Sequence, residues 1–169
     1  RPGRILRRGM VTYYSKLLHQ TGHGLAMSGG VRWLWPLCEV LHVFGMALLM
    51  GCVLVLDLRM LGVAPGLPLR PLRALVPWGV LGFAINLITG LGFYAGFPGQ
   101  YMSWAFFFKM LFIVLAGVNL LLFYVTGLHR RVDPIGAGQH VPPAAKACAA
   151  VSLFFWLGVI YFGRLIPEA

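Results

Sequence analysis

Long apolar runs, separated by short polar or Pro/Gly-rich breaks, dominate the chain. Four runs nearly free of charge occupy residues 33–56, 74–97, 103–128 and 144–166. Crossing a hydrocarbon layer about 30 Å thick takes roughly 20 apolar residues at ~1.5 Å each. Each run reaches that length, and together they leave no room for a separate soluble domain. The pattern predicts an all-α fold, an integral membrane four-helix bundle over residues 33–169 with antiparallel up-down topology. The first run is too long, and too far from the N-terminus, to be the apolar core of a cleaved signal peptide, so it is expected to be retained.

Residues 1–32 follow a different pattern. Arg4, Arg7, Arg8 and Lys16 alternate with Ile5, Leu6, Met10, Val11, Tyr13, Leu17 and Leu18. This spacing fits a basic amphipathic helix lying on lipid headgroups, with a frayed basic tail as the alternative. Residues 21–30 hold four glycines and form a loop, after which Trp33, Trp35 and Pro36 mark an interface and a helix start.

Composition agrees with this reading. Of 169 residues, 59% are hydrophobic and 11% charged, and the mean hydropathy of +0.81 is beyond what a soluble domain of this size can bury. The net charge of +10 would suggest nucleic acid in a soluble protein. Here the basic residues crowd the ends of apolar runs, so anionic lipid is the expected partner and nucleic acid is not. The three cysteines, Cys38, Cys52 and Cys148, lie in or beside the runs, which argues against a disulfide framework.

With four spans, both chain ends share one side, termed A. Side B carries Arg59, Arg70, Arg73, Arg130, Arg131 and Lys146, whereas the short side-A loop 98–103 carries no charge. The positive-inside rule then places side B in the cytoplasm and the termini in the periplasm of a bacterial inner membrane. The basic N-terminal tail argues the opposite way, but its arginines are more than about 20 residues from the first span and count for less.

Candidate chemistry gathers near side A. Glu39 and His42 are one turn apart on the first helix, roughly 6–10 Å below the side-A boundary at ~1.5 Å per residue. Antiparallel threading brings Lys109 and Arg164 to the same depth. One account has Glu39 paired with Lys109 or Arg164, and His42 hydrogen-bonded to fix helix register. The other has the four lining a polar pocket for a b-type haem or a quinone, with His42 as an axial ligand and Lys109 or Arg164 meeting the propionates. A second axial ligand is not evident, since His129 and His140 belong to side B and His19 and His23 to the N-terminal segment, which could fold back but need not; Met46, Met102, a second protomer or a partner subunit are further sources. A copper site through Cys38, His42 and Met46, spaced i, i+4, is a further alternative. The Glu39-x-x-His42 spacing is half of a di-iron motif whose other half is missing.

Elsewhere, Asp57 and Arg59 are expected where the first helix leaves the membrane. Asp57 would cap or meet the loop holding Arg70 and Arg73, and Arg59 would snorkel to phosphates. Asn86 and Asn119 are read as hydrogen-bonding glue between helices, and Gly45, Gly51, Gly82, Gly90 and Gly117 as points of close helix approach. No nucleophile with a base, phosphate loop, GxSxG or HExxH occurs, so a self-contained hydrolase or transferase is not expected.

The pattern Trp35-Pro36-x-x-Glu39-x-x-His42-x-x-Gly45, followed by Asp57-Leu58-Arg59-x-Leu61-Gly62, Pro77-Trp78, Thr89-Gly90, Phe107-x-Lys109, Asn119 and Gly163-Arg164, resembles a family of small bacterial four-helix membrane proteins without an assigned activity. It is also distantly similar to the membrane portion of copper-resistance D-type proteins, through the first-helix His and the final Gly-Arg. The first resemblance implies an inner-membrane bundle with Glu39, His42, Asp57, Arg59, Lys109 and Arg164 at motif positions, and it brings no activity with it. The expectation is a small inner-membrane subunit working beside other membrane subunits or copies of itself. Its side-A pocket would serve electron transfer through haem or quinone. The alternatives are an accessory subunit without a cofactor, and copper handling.

Overall fold

The computed structural model describes residues 31–168 together with Leu17 and Gln20. The proposed interfacial helix and the glycine loop of residues 21–30 lie outside the described residues, apart from those two. Four long helices carry the fold: α1 (Leu34–Leu61), α2 (Val76–Gly96), α3 (Trp104–Val125) and α4 (Pro143–Leu165), with no strand among the described residues. All four, with α2 extended back to Leu69, are long and apolar enough to cross a membrane. The chain is therefore a multi-pass helical membrane protein. Large apolar side chains face outward along the helices, Ile88 at 70% and Val125 at 73% exposure among them, a surface that only lipid or other apolar partners can cover.

Helix ends follow local chemistry. Pro77 sits in the first turn of α2, where no hydrogen bond is lost. The Ser103 side chain accepts from the Phe106 N–H and caps α3. Gly62 ends α1 in the left-handed region at φ 97°, donating to the Arg59 carbonyl while the Val63 N–H reaches Leu58. α1 thus runs five residues beyond the expected end at Leu56, and Asp57 and Arg59 are inside it rather than at its exit.

The helices pack in the order α2–α1–α4–α3, and α2 and α3 do not pack along their lengths. At the α1–α2 crossing, a Cβ on Gly82 would come within 2.6 Å of the Gly45 carbonyl oxygen and 2.7 Å of the Leu49 nitrogen, so glycine is required there. Gly51 and Gly117 were expected to serve the same purpose, but nothing lies within 4 Å of their Cβ positions. The close approach between α3 and α4 occurs instead at Gly158, against the Phe112 ring.

The buried apolar cluster is at side B, where Met60, Leu69, Val132, Ile135, Val141, Ala145 and Ala149 bring the two side-B loops onto α1 and α4. Arg59 lies beneath these loops at 1% exposure. Its guanidinium donates to the carbonyls of Leu67 and, at 3.1 Å, Gly136, one from each loop. Arg59 does not snorkel to phosphates, because the loops supply acceptors within reach of its own helix end. Leu69 N–H to Ile135 and Gly138 N–H to Pro65 complete the cap, and Arg73 pairs with Asp133 rather than with Asp57.

Gly82→Ala is expected to lower the unfolding free energy in detergent micelles by about 1–3 kcal/mol, because the added methyl meets backbone atoms that cannot swing aside. Gly51→Ala should leave it unchanged or raise it, alanine being the better helix former. Equal losses in a denaturant titration of both variants would contradict the crossing.

Candidate functional site

Side A is built from the first turns of α1 and α3 and the last turns of α2 and α4. His42 of α1 faces α2, its Nδ1 2.7 Å from Thr89 Oγ1. The Thr89 hydroxyl is itself 2.7 Å from the Ile85 carbonyl one turn back, and it has only one hydrogen to give. Donating that hydrogen to Ile85 makes it an acceptor for His42, so the neutral ring carries its proton on Nδ1 and keeps the lone pair on Nε2. Nε2 has no hydrogen-bond partner among the described residues. The Phe93 ring lies 5.2 Å away by centroid, and Gly90 leaves the ring edge free, its Cβ position 3.9 Å from Cε1.

Lys109 reaches the same layer from α3. Its side chain lies along Gly163 of α4, Nζ 3.6 Å from that residue's Cβ position, and its charge is felt at His42. It makes no hydrogen bond or ion pair among the described residues. A partly buried ammonium inside a span is costly without an acceptor, so this one has capacity for an anionic or carbonyl oxygen.

The other two expected members are engaged elsewhere. The Glu39 carboxylate accepts from Trp35 Nε1 at 2.8 Å, one turn away on its own helix. Arg164 points outward and pairs with Glu168 at 3.0 Å, both ends exposed. The expected ion pair of Glu39 with Lys109 or Arg164 therefore does not form, because each of the outer two finds a partner one turn along its own helix. Asn86 is likewise not glue between helices, since its amide donates to Gly82 of its own helix; Asn119 does bridge, to the Cys148 carbonyl at 3.1 Å.

Aromatic rings close the side-A end. Trp35 packs on Phe93 and Phe97 with centroids 5.0 and 4.9 Å away, and Tyr94 stacks on Phe106 at 6.1 Å, with Tyr101 against both. Thr89 and Tyr101 are the site residues that sequence reasoning missed. Thr89 appeared within a Thr-Gly pair, where only its helical distance from Ile85 hinted at a hydroxyl held for another group.

No family model, curated protein or solved structure matches this chain. Function therefore has to be argued from these residues. Cys38, His42 and Met46, the copper stripe, are all only partly buried. No group of three or more His, Cys, Asp or Glu converges among the described residues.

Tyr101 lies in the loop before α3, where burial first, and the Glu39 charge second, raise its phenol above the usual 10. The folded chain then holds this proton at a pH where the unfolded chain has lost it, so the contribution to stability falls as pH rises beyond 10. Subtracting an ultraviolet pH titration of Tyr101→Phe from that of the parent should isolate a midpoint above 10 that moves down in Glu39→Gln. A midpoint indifferent to Glu39 would separate the two groups.

Proposed function

We propose that this chain is a bacterial inner-membrane electron-transfer subunit whose side-A pocket takes a b-type haem, with His42 Nε2 as an axial ligand. The observation that carries this reading is the oriented imidazole. Thr89 holds Nδ1–H, which fixes the tautomer and leaves the Nε2 lone pair available, and Lys109, whose charge is felt at His42, has no counter-charge among the described residues. Metal-ligating histidines usually donate their other ring nitrogen to such a partner. Lys109 would hold a propionate, and the haem would supply one-electron chemistry; Glu39 and Arg164 are already partnered and belong to the rim. Any further ligand to the group would come from another subunit or a second copy, in keeping with a chain that works within a larger membrane complex.

A quinone is the second reading, favoured by Lys109 as a donor for a ring carbonyl beneath the Tyr94, Tyr101 and Phe106 cluster. The positive-inside rule applied to the side-B loop arginines supports a cytoplasmic side B, with His42 and Lys109 then near the periplasmic face.

The test is a dithionite-reduced minus air-oxidised visible spectrum with metal analysis on gently purified full chain. A b-type band is expected, lost in His42→Ala and weakened in Thr89→Val, where haem affinity should fall roughly 10–100-fold. Quinone found in lipid extracts, with no haem band, would shift the reading to the second. Bound copper that falls with Cys38→Ala or Met46→Ala would move it to copper handling. A featureless, metal-free and quinone-free preparation would leave an accessory subunit.

A further inference from the structure

The opposite half of the bundle holds a polar cluster that the side-A reading does not use. Asp57 of α1 is 5% exposed, and its Oδ2 has no hydrogen-bond partner among the described residues. Ser152 of α4 is the polar neighbour of the carboxyl, although no hydrogen bond forms between them, and the Cys148 thiol, one turn nearer side B, feels its charge. That thiol is occupied, with Sγ 3.3 Å from Asn119 Oδ1 of α3 while the Asn119 amide holds the Cys148 carbonyl.

A buried carboxylate with an empty oxygen needs a positive charge. Arg59, two residues on, donates Nε and Nη2 to loop carbonyls and forms no ion pair with Asp57. Arg73, the expected partner, is bonded to Asp133. α2, packed on the far side of α1, has no titratable residue in its side-B half. On α4 only Lys146 and Cys148 titrate near this level, and on the side-B half of α3 only Tyr124. A proton on Asp57 would remove the uncompensated charge, with the Ser152 oxygen as the neighbouring acceptor.

We propose that Asp57, with Ser152 as a second oxygen ligand, is an intramembrane binding site for a monovalent cation, taken up as a proton or as a sodium ion. The site depends on α1 and α4 and is independent of any group bound at His42. Binding joins the two helices at the level where Arg59 fixes the loops, so occupancy and the side-B cap are linked.

The experiment is infrared difference spectroscopy of the full chain in lipid nanodiscs. One arm steps the pH in sodium-free choline buffer; the other adds sodium chloride at fixed pH. In the pH arm, a carboxylic C=O band that appears and vanishes in the parent and is lost in Asp57→Asn identifies a proton site. In the sodium arm, loss of that band or a shift of the carboxylate band with sodium, again missing in Asp57→Asn, identifies a sodium site. Ser152→Ala should move the midpoint of whichever response occurs. Should Asp57→Asn fail to fold, ¹³C-aspartate in an Asp133→Asn background leaves Asp57 as the only labelled aspartate and reports on the native carboxyl. Parent and variant spectra that coincide in both arms, or a labelled carboxyl that answers neither pH nor sodium, would overturn the proposal.

Discussion

The Arg59 guanidinium, sealed under two loops, is the constraint from which the rest of the bundle follows. Removing a cation from water costs several kcal/mol unless hydrogen bonds replace the lost hydration. Here the Leu67 and Gly136 carbonyls supply them, and the position in the last turn of α1 adds the favourable field of the helix C-terminus. Because the two acceptors come from different loops, the same charge fixes where α2 begins and where the chain turns toward α4. The buried cluster from Met60 to Ala149 can form only once both loops are so placed.

That arrangement makes the two ends physically different. Side B is closed by backbone hydrogen bonds and a packed apolar cluster, with Arg73 and Asp133 as an outer clasp. Side A is closed by rings, which can slide and tilt at modest cost, over a layer where the His42 lone pair and the Lys109 charge are left over. Between them, the Gly45–Gly82 crossing brings the α1 and α2 backbones into contact and leaves no space for a ligand.

The four spans were legible because length and lack of charge decide them, and depth along antiparallel helices follows from counting residues. That counting puts His42 and Lys109 at one depth. It could not place Glu39 or Arg164 correctly, although each takes a partner one turn away, Trp35 or Glu168, that the sequence displays. Long-range pairing was assumed where a local bond was cheaper in side-chain entropy. Arg59 was illegible for another reason. A basic residue at a helix end turns outward unless loop carbonyls lie overhead, and loop paths have no periodicity to read. Asn86 and Asn119 look alike in sequence, and only the neighbouring backbone decides which of them bridges helices.

His42 and Asp57 are fifteen residues apart on α1, about 22 Å along a helix rising ~1.5 Å per residue. At an effective dielectric near 20, unit charges at that separation interact by only about 0.8 kcal/mol, less than one pKa unit. A charge on one group therefore barely perturbs the other through space. Any stronger communication has to be mechanical, through α1 itself, because its His42 is bonded to Thr89 of α2 while the same helix packs on α4. Rotation of α1 about its axis strains both contacts together, and the Gly45–Gly82 contact between them resists it. The two polar layers therefore behave as separate sites while that crossing stays closed, and become coupled only if it loosens.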